Sequence, residues 1–216
     1  MKILVIDVGG TNVKILTTGQ KDVVKIPSGT EMTAKMMVDQ VKEAAKEWAF
    51  EGVSIGYPGP VVQGKPLLEP ANLGRGWVDM DFAAGFGKPV RIINDAAMQA
   101  LGSYDGGRML FLGLGTGLGS AFVVDGVVAP MELAHLPYKK GRTFEDYVGI
   151  RGYKKYGKKK WAIAVDDVVA RLKAAFVADY VILGGGNAKK LKKLPAGSRL
   201  GDNMNAFTGG FRMWEK

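Results

Sequence analysis

The stretch DVGGTNVK, residues 7–14, follows a short apolar run at residues 3–6 and leads into a second one at residues 13–16. Two adjacent glycines permit a tight turn, so the segment predicts two antiparallel strands joined by a glycine hairpin. The same glycines would also let backbone N–H groups converge on an anion. Taken alone, the stretch leaves two interpretations open, a phosphate-binding loop and a simple turn.

A pattern of strand, glycine turn and strand occurs twice in the chain. In each copy a third short strand follows, and a helix with apolar residues three and four positions apart comes later. The strands are predicted at residues 3–7, 13–17 and 23–26, and again at 109–112, 120–124 and 127–129. The helices are predicted from residue 30 to Trp48 and from Trp161 to Phe176. We interpret the pattern as an internal duplication of architecture in an α/β protein with two lobes.

Two segments between these copies are candidates for a functional site. A long loop rich in glycine and proline follows a predicted strand at residues 53–57, and it includes ANLGRGW at residues 71–77. Because this loop is too long for a mere connection, we expect it to be functional. Another predicted strand, at residues 90–93, runs into Asn94 and Asp95, either of which could begin a helix.

The composition excludes several classes of protein. The chain has no cysteine, which excludes disulfide frameworks and metal sites made of cysteines. It has one histidine, so a histidine-rich metal centre is not expected either. No apolar run approaches the roughly 18 residues that a membrane span needs, and Asp7 follows MKILVI too early for a secretory leader. We therefore expect a cytoplasmic protein that does not associate with a membrane.

The positive charge is concentrated in one region. The formal net charge is +9, but residues 136–216 carry 18 Lys and Arg against 7 Asp and Glu, whereas residues 1–135 carry 12 against 14. Such a region could attract nucleic acid, an anionic lipid or a polyphosphate, and an ordinary solvated lysine-rich surface has the same composition. Charge alone leaves these interpretations open.

Three glycine clusters favour phosphate binding, and each comes directly after a predicted strand, the third after a strand at residues 180–183. Two common nucleotide motifs do not fit, because no Gly-Lys pair precedes Ser or Thr and GLGTGLG spaces its glycines by two, unlike GxGxxG. Glycine clusters nevertheless let backbone N–H groups, with a threonine hydroxyl, surround an anion. The candidate phosphate-binding residues are Gly9, Gly10, Thr11, Asn12 and Lys14 in the first cluster, Gly115, Thr116 and Gly117 in the second, and Gly185 and Gly186 in the third.

Together these segments resemble the ROK family of sugar kinases and repressors, within the actin and hexokinase superfamily. DVGGTNVK resembles the superfamily's first phosphate loop, and PGPV, NLGRGW, NDAAMQALG, LGLGTGLGS, MELAHLP, FEDYVG and ILGGGN follow in the family's order over nearly the whole chain. KKKW and the compact C-terminal half are most similar to the polyphosphate glucokinase branch. The resemblance implies two ribonuclease-H-like lobes with a central cleft, one formed by residues 1–95 and about 203–216 and the other by residues 96–202.

The resemblance also implies roles for single residues. Asp95 matches the catalytic base that takes a proton from a sugar hydroxyl, although an aspartate here could instead cap a helix. Asp7 matches an aspartate that holds Mg²⁺ through water, with a turn-stabilising carboxylate as the alternative, and Lys14 either reaches a phosphate or points into solvent. Glu132 and His135 are three positions apart and would share one face of a helical turn. The alternative for His135 is a purely structural histidine. The residues expected to bind the sugar are Asn72, Asn94, Glu132, His135 and Glu145.

The chain departs from the family in the segment around His135. Many members bind zinc through cysteines shortly after this histidine, but KKGRTFEDYVG has none, so no structural zinc is expected. Ala134 stands where the family usually has glycine. That change would alter backbone freedom near the sugar.

We therefore expect a Mg²⁺-dependent, glucokinase-like kinase that transfers a phosphoryl group from polyphosphate, ATP or both to a hexose such as glucose. The basic region favours polyphosphate, because an extended polyanion is held by many salt-dependent contacts. The family implies a homodimer, and nucleic acid is not an expected partner. Two alternatives stay open: an ATP-dependent kinase for another hexose or an N-acetylhexosamine, and a non-catalytic regulator that binds a sugar or a polyanion.

Overall fold

The computed structural model describes residues 1–215, which fold into two compact units. The first unit comprises Met1–Met98 and the chain from Ala206 onward, and the second comprises Gln99–Asn205. Each unit contains a five-stranded mixed sheet, so the predicted α/β class with two sheets flanked by helices is confirmed. In the described part of the chain, no helix is both long and apolar enough to span a membrane.

The sheet of the first unit grows from the hairpin that opens the chain. In chain order its unit contains β1 (Ile3–Val8), β2 (Asn12–Thr17), β3 (Val24–Pro27), β4 (Gly52–Tyr57), the short hairpin β5 (Val61–Val62) and β6 (Lys65–Pro66), and β7 (Val90–Asn94). The sheet order is β3-β2-β1-β4-β7, in which β1, β4 and β7 are parallel and β2 is antiparallel to both neighbours. Every residue of β1 and β4 is buried, as in parallel strands covered on both faces.

The second unit repeats this topology. Its strands are β8 (Arg108–Leu114), β9 (Leu118–Val124), β10 (Val127–Met131), β11 (Tyr180–Gly184) and β12 (Ser198–Leu200). Their order is β10-β9-β8-β11-β12, with the same strand directions as in the first sheet. The predicted duplication of architecture is therefore confirmed, and the turns β1–β2 and β8–β9, which hold the first two glycine clusters, are topologically equivalent.

Six α-helices accompany the sheets. They are α1 (Ala34–Ala44), α2 (Phe82–Phe86), α3 (Asp95–Ser103), α4 (Phe144–Val148), α5 (Ile150–Ala175) and α6 (Asn205–Arg212) among the described residues. Short 3-10 helices also occur at Leu133–His135 and Ala188–Lys190.

The first helix is shorter than the sequence predicted. The side chain of Thr33 caps α1 by accepting from the Met36 N–H, and Met37 is buried as expected. The helix stops before Trp48, because the backbone turns tightly where the Trp48 N–H donates to the Ala45 carbonyl over 2.8 Å. Trp48 still packs against the core, but from the segment after the helix.

The longest helix begins earlier than predicted and is interrupted. α5 starts at Ile150, and Gly157 has the non-helical angles φ 75° and ψ 162°, which only glycine adopts easily. Beyond this kink Trp161, Val165, Val168 and Leu172 are buried at the expected spacings of three and four residues. Trp161 donates its indole N–H to the Val148 carbonyl over 2.7 Å. Phe176 is the C-cap and not part of the helix.

Helix α6 packs closely on the first sheet. A Cβ on Gly210 would overlap the side chain of Val5, so the contact requires glycine at this position. The Gly210 carbonyl accepts from Ser54 Oγ over 2.6 Å, and the indole N–H of Trp214 donates to the same Oγ over 2.8 Å. The buried Ser54 thereby satisfies its hydrogen bonds within the core.

Candidate active site

The parallel strands of the first unit bring several candidate residues to one edge of the sheet. In the strand register Asp7 lies beside Gly56, which lies beside Ile93, and Asn94 and Asp95 follow directly. Two strand spacings separate the backbones of Asp7 and Ile93, about 10 Å. The carboxyl ends of parallel strands are a common location for ligands. Asp7, Asn94 and Asp95 therefore share an edge that can host a site.

The first glycine cluster forms the turn between β1 and β2. The Gly9 N–H donates to the Asn12 carbonyl over 3.1 Å, and the Gly9 carbonyl accepts from Ser28 Oγ over 2.6 Å. The Ser28 N–H also donates to the Thr11 carbonyl over 3.0 Å. Gly10 and Thr11 are exposed at the tip of this braced turn. Sequence reasoning missed Ser28, because nothing in its neighbourhood signals that it contacts the turn.

Asp7 and Lys14 form an ion pair in the first sheet. They are directly opposite each other on β1 and β2, and Lys14 Nζ lies 3.1 Å from Asp7 Oδ2. The Asp7 residue is only 8% exposed. Lys14 therefore pairs with the carboxylate that was predicted to hold the metal, and its side chain does not point freely into solvent. Among residues 1–215, no group of three or more His, Asp or Glu side chains could hold a metal ion.

The loop that carries Asn72 is held against the first glycine turn. A Cβ on Gly10 would lie 3.1 Å from the Cβ of Asn72, so these two candidate residues are neighbours. Glu69 organises the loop, because its carboxylate accepts from the backbone N–H groups of Gly76, Trp77 and Val78 over 3.1–3.3 Å. Carboxylate acceptors make such hydrogen bonds stronger than neutral ones.

The strand-to-helix junction separates the roles of Asn94 and Asp95. Asn94 Oδ1 accepts from the Ala97 N–H over 3.1 Å, the bond of an N-cap residue, and its amide donates to the Gly59 carbonyl over 3.1 Å. Asp95 is the first residue of α3, and its Oδ1 accepts from the Ala96 N–H over 2.7 Å. Asn94 therefore performs the capping that the sequence left open between the two residues.

In the second unit, the other two glycine clusters contact each other. The backbone N–H of Asn187 donates to the Leu114 carbonyl over 2.9 Å, and its side-chain amide donates to the Gly115 carbonyl over 2.8 Å. Gly185 has φ +78°, and a Cβ there would lie 2.5 Å from the Leu114 oxygen. Glycine is thus required for this close approach. The buried Asn187, which follows the three glycines, was not singled out as a site residue from the sequence.

Glu132 and His135 lie at the ends of one 3-10 turn. Glu132 precedes the turn and His135 is its last residue, with His135 Nε2 3.8 Å from Glu132 Oε2. Both side chains are exposed, whereas the intervening Leu133 and Ala134 are buried. The Leu133 N–H donates to the buried Ser120 Oγ over 3.2 Å, which fixes the turn to β9. The predicted common face of the two side chains is confirmed.

Glu145 lies against the second glycine cluster. Its Oε2 accepts from the Leu118 N–H over 3.3 Å, and a Cβ on Gly117 would overlap this oxygen. Its Oε1 accepts from Arg151 Nη2 over 3.2 Å. Arg151, which sequence reasoning did not select, also lies 3.4 Å from Asp146 Oδ1. Glu145, which was predicted to bind the sugar, therefore lies beside the second glycine cluster, which was predicted to bind phosphate. Its partner Arg151 was not predicted.

The chain is similar to known proteins over most of its length. The sequence model of the ROK family matches residues 3–130. A polyphosphate glucokinase from Mycobacterium tuberculosis (strain CDC 1551 / Oshkosh) is 29% identical over 210 residues, which cover 87% of this chain and 78% of that protein.

Solved structures share the fold over nearly the whole chain. The inorganic polyphosphate/ATP-glucomannokinase from Arthrobacter sp. strain KM has a TM-score of 0.81 and 23% identity, covering 97% of this chain and 96% of the other. A ROK family glucokinase from Streptomyces griseus, in complex with glucose and AMPPNP, has a TM-score of 0.74 and 16% identity, covering 99% of each chain.

Proposed function

The chain belongs to the ROK family, and we propose that it is a glucokinase-like phosphotransferase, which moves a phosphoryl group from polyphosphate, ATP or both to a hydroxyl of glucose. The observation that carries the proposal is the sheet edge shared by Asp7, Asn94 and Asp95. There a carboxylate for proton transfer, a carboxylate for a metal and a glycine turn for phosphates belong to one unit.

Asp95 acts as the general base in this proposal. The hydroxyl oxygen of the sugar forms a bond to the terminal phosphorus of the donor, the bond from that phosphorus to its bridging oxygen breaks, and Asp95 takes the hydroxyl proton. Because Asn94 caps α3, the Asp95 carboxylate is not needed for that cap. Catalysis otherwise depends on positioning and on charge stabilisation, as in other phosphoryl transfers.

The remaining candidate residues bind the two substrates. The sugar hydroxyls need several fixed donors and acceptors, and carboxylates accept strongly from them. We assign this role to Asn72, Asn94, Glu132, His135 and Glu145. The donor phosphates meet the backbone and side chains of Gly9, Gly10, Thr11, Asn12, Lys14, Gly115, Thr116, Gly117, Gly185 and Gly186. The homodimer implied by the family is part of the same proposal.

Asp7 fits a magnesium site that is completed by water and phosphates. Mg²⁺ is commonly held by one or two protein carboxylates together with waters and substrate phosphates, so the single Asp7 carboxylate is sufficient. When bound, the ion would neutralise negative charge on the donor. Lys14, 3.1 Å from the same carboxylate, adds a second positive charge beside the glycine turn.

Both polyphosphate and ATP have support as donors. The Mycobacterium relative is named for polyphosphate, and the Arthrobacter structure for polyphosphate and ATP. The second unit contains 17 Lys and Arg against 9 Asp and Glu, which suits a long polyanion.

One set of assays tests the proposal. The protein is incubated with Mg²⁺, with ATP or polyphosphate, and with a panel that includes glucose, mannose and N-acetylhexosamines, and the sugar phosphate is detected directly. Asp95→Asn is expected to lower kcat about 100- to 10,000-fold, because the base is lost. Asp22→Asn, which changes an exposed aspartate of the same unit, is the control and should keep normal activity.

The outcomes discriminate between the candidate functions. Normal turnover by a folded Asp95→Asn variant would exclude Asp95 as the base. Transfer to a sugar other than glucose would favour the alternative of a ROK kinase for another hexose or an N-acetylhexosamine. No transfer from any donor to any sugar would favour a binding protein without catalysis.

A further inference from the structure

A pocket in the first unit lies at the sheet edge opposite the candidate active site. Its lining includes residues that come shortly before three parallel strands, namely Lys2 before β1, Glu51 before β4 and Lys88 before β7. Asp7 lies near the other end of β1, and the extended chain between Lys2 and Asp7 is about 17 Å long. The pocket is therefore separate from the residues that the proposed function uses.

Three aromatic side chains give this pocket an apolar wall. They are Trp48, Phe50 and Phe86. Phe86 belongs to the hydrophobic core, whereas Trp48 and Phe50 pack against that core and keep part of their surface exposed. The pocket has a volume of about 670 Å³, which lies within the range of roughly 300–1,000 Å³ found for small-molecule sites. Its size and its wall suit a flat apolar group.

Hydrogen bonds between distant segments hold the lining in place. The Lys2 N–H donates to Glu51 Oε2 over 2.8 Å, and the Glu51 N–H donates to the Lys2 carbonyl over 2.8 Å. Lys42, in the last turn of α1, donates from Nζ to the carbonyl of Gly85 in α2 over 3.2 Å. These contacts order the pocket before a ligand arrives, which lowers the entropic cost of binding.

The charged side chains of the pocket are lysines, with one exception. The lysines are Lys2, Lys42, Lys46 and Lys88, and the exception is Glu51. Lys46 is paired with Glu43 over 2.8 Å, outside the pocket lining. Within residues 1–215, the other three lysines make no ion pair shorter than 4.0 Å. Three positive charges beside the aromatic wall therefore remain for an external anion.

This combination favours a small ligand over a second copy of the chain. A two-fold dimer would place the surface against itself, and the unpaired lysines of the two copies would repel each other. An aromatic ring can stack on or meet edge-on with the rings of the wall, while a negative group attached to it meets the lysines. A neutral aromatic compound or a bare phosphate would use only half of these features.

We infer that this pocket is a second ligand site, which binds a planar aromatic anion. An aryl carboxylate, an aryl phosphate and a nucleoside monophosphate share this chemistry. The ring lies against Trp48, Phe50 and Phe86, and the negative group lies beside Lys42 and Lys88. The ligand does not compete with the sugar, because the pocket is at the opposite edge of the sheet. The inference does not depend on the proposed function.

A titration followed at Trp48 tests the inference without turnover. The chain has four tryptophans, and the indole N–H signal of Trp48 in a proton–nitrogen NMR spectrum is assigned from its loss in a Trp48→Phe variant. The probe is 1-naphthyl phosphate, added without sugar or phosphoryl donor. We expect the Trp48 signal to shift and to saturate with this probe. 1-Naphthol, which lacks the charge, and inorganic phosphate, which lacks the ring, should bind at least about tenfold more weakly.

A double variant tests the role of the lysines. Lys42→Gln and Lys88→Gln are combined, and a matched control combines Lys21→Gln and Lys25→Gln, two exposed lysines of the same unit. The affinity for 1-naphthyl phosphate is expected to fall about tenfold in the pocket variant and to stay unchanged in the control. Circular dichroism verifies that both variants fold. Binding by the unaltered protein should weaken as salt is added, because salt screens exposed charges.

Further titrations distinguish the sources of the ligand. Tighter binding of 1-naphthoate than of AMP would support the site and identify an aryl acid, and the reverse order would support the site and identify a nucleotide. No shift of the Trp48 signal with any of these anions would overturn the inference. Equal affinity for 1-naphthol, or an unchanged affinity in the folded pocket variant, would also overturn it. If only anionic vesicles or poly(U) shift the signal, the surface serves a membrane or a nucleic acid, and the inference is wrong.

Discussion

Glu69 shows how one side chain can position a binding loop without contacting a substrate. Its carboxylate accepts from three successive backbone N–H groups, those of Gly76, Trp77 and Val78. The loop between Glu69 and these residues carries Asn72, which is proposed to bind the sugar. A charged acceptor of this kind contributes about 1.5–3 kcal/mol per hydrogen bond.

We expect Glu69→Ala to raise the KM for glucose about tenfold and to change kcat less, because the loop loses its internal acceptor. Steady-state kinetics with saturating donor measure both parameters. Glu69→Gln keeps one acceptor oxygen and should restore part of the affinity. Glu47→Ala, at an exposed position of the same unit, is the control. A tenfold fall in kcat with an unchanged KM for glucose would contradict a positioning role.

At the same scale, the sequence identified residues better than it identified their partners. It marked Asn94 and Asp95 as a junction, but hydrogen bonds to Ala97 and Gly59 decide which of them caps the helix. It placed Lys14 in a strand, whereas cross-strand register gives it Asp7 as partner. Partners of this kind depend on residues that are distant in sequence, which a local pattern cannot reveal.

At the scale of elements, an ion pair joins the starts of two neighbouring strands. Asp179 precedes β11, and it accepts from the backbone N–H of Arg108, the first residue of β8, over 2.8 Å and from its guanidinium over 2.7 Å. These hydrogen bonds from Arg108 lower the pKa of Asp179 from 3.8 to about 2. The parallel pairing of β8 and β11 thus begins at a fixed point.

This ion pair should make stability depend on pH. A carboxylate whose pKa is lower in the folded state stabilises the protein above its unfolded pKa, and the contribution is lost as the pH falls through the folded value. Asp179→Asn should therefore lower the free energy of unfolding at pH 7, and the difference from the unaltered protein should shrink between pH 3.8 and about 2. Denaturant titrations at several pH values measure this difference. A difference that does not change with pH would contradict the assignment.

Helices and strands were predicted well where they follow from a local sequence pattern. They were predicted poorly where packing decides at which residue a helix ends. The glycine turns and their flanking strands occur close to the predicted positions. The end of α1 was missed, because the apolar period continues to Trp48. The kink of α5 at Gly157 was missed, because it lies in a lysine-rich segment before Trp161, where the predicted helix begins. Strand β12 was not predicted, since its three residues carry little pattern of their own.

At the scale of the whole molecule, the repeated topology was predictable and the chain's return to the first unit was only partly so. Two glycine-separated sets of strands indicated two similar sheets, and both have the same order. The packing of α6 on the first sheet depends instead on Gly210, whose neighbour Val5 is far away in sequence. Family resemblance, and not periodicity, indicated that the last residues belong with the first ones.

We expect Gly210→Ala to destabilise the protein by about 1–3 kcal/mol, because the added methyl group would force α6 away from Val5. Thermal and denaturant unfolding measure the effect. Gly186→Ala is a matched control, since a Cβ there meets nothing within 4 Å, and it should change stability by less than about 0.5 kcal/mol. A Gly210→Ala variant as stable as the control would show that the helix can shift at little cost.

The hydrogen bond between Ser54 and Gly210 can form only late in synthesis of the chain. These residues are 156 positions apart, and translation at about 5–20 residues per second delivers the second roughly 8–30 s after the first. Throughout that interval the nascent first sheet has no α6 to cover Val5, while the entire second unit is still being made. For that time the ribosome-bound chain exposes an apolar sheet face, and exposed apolar surface of this kind is prone to aggregation.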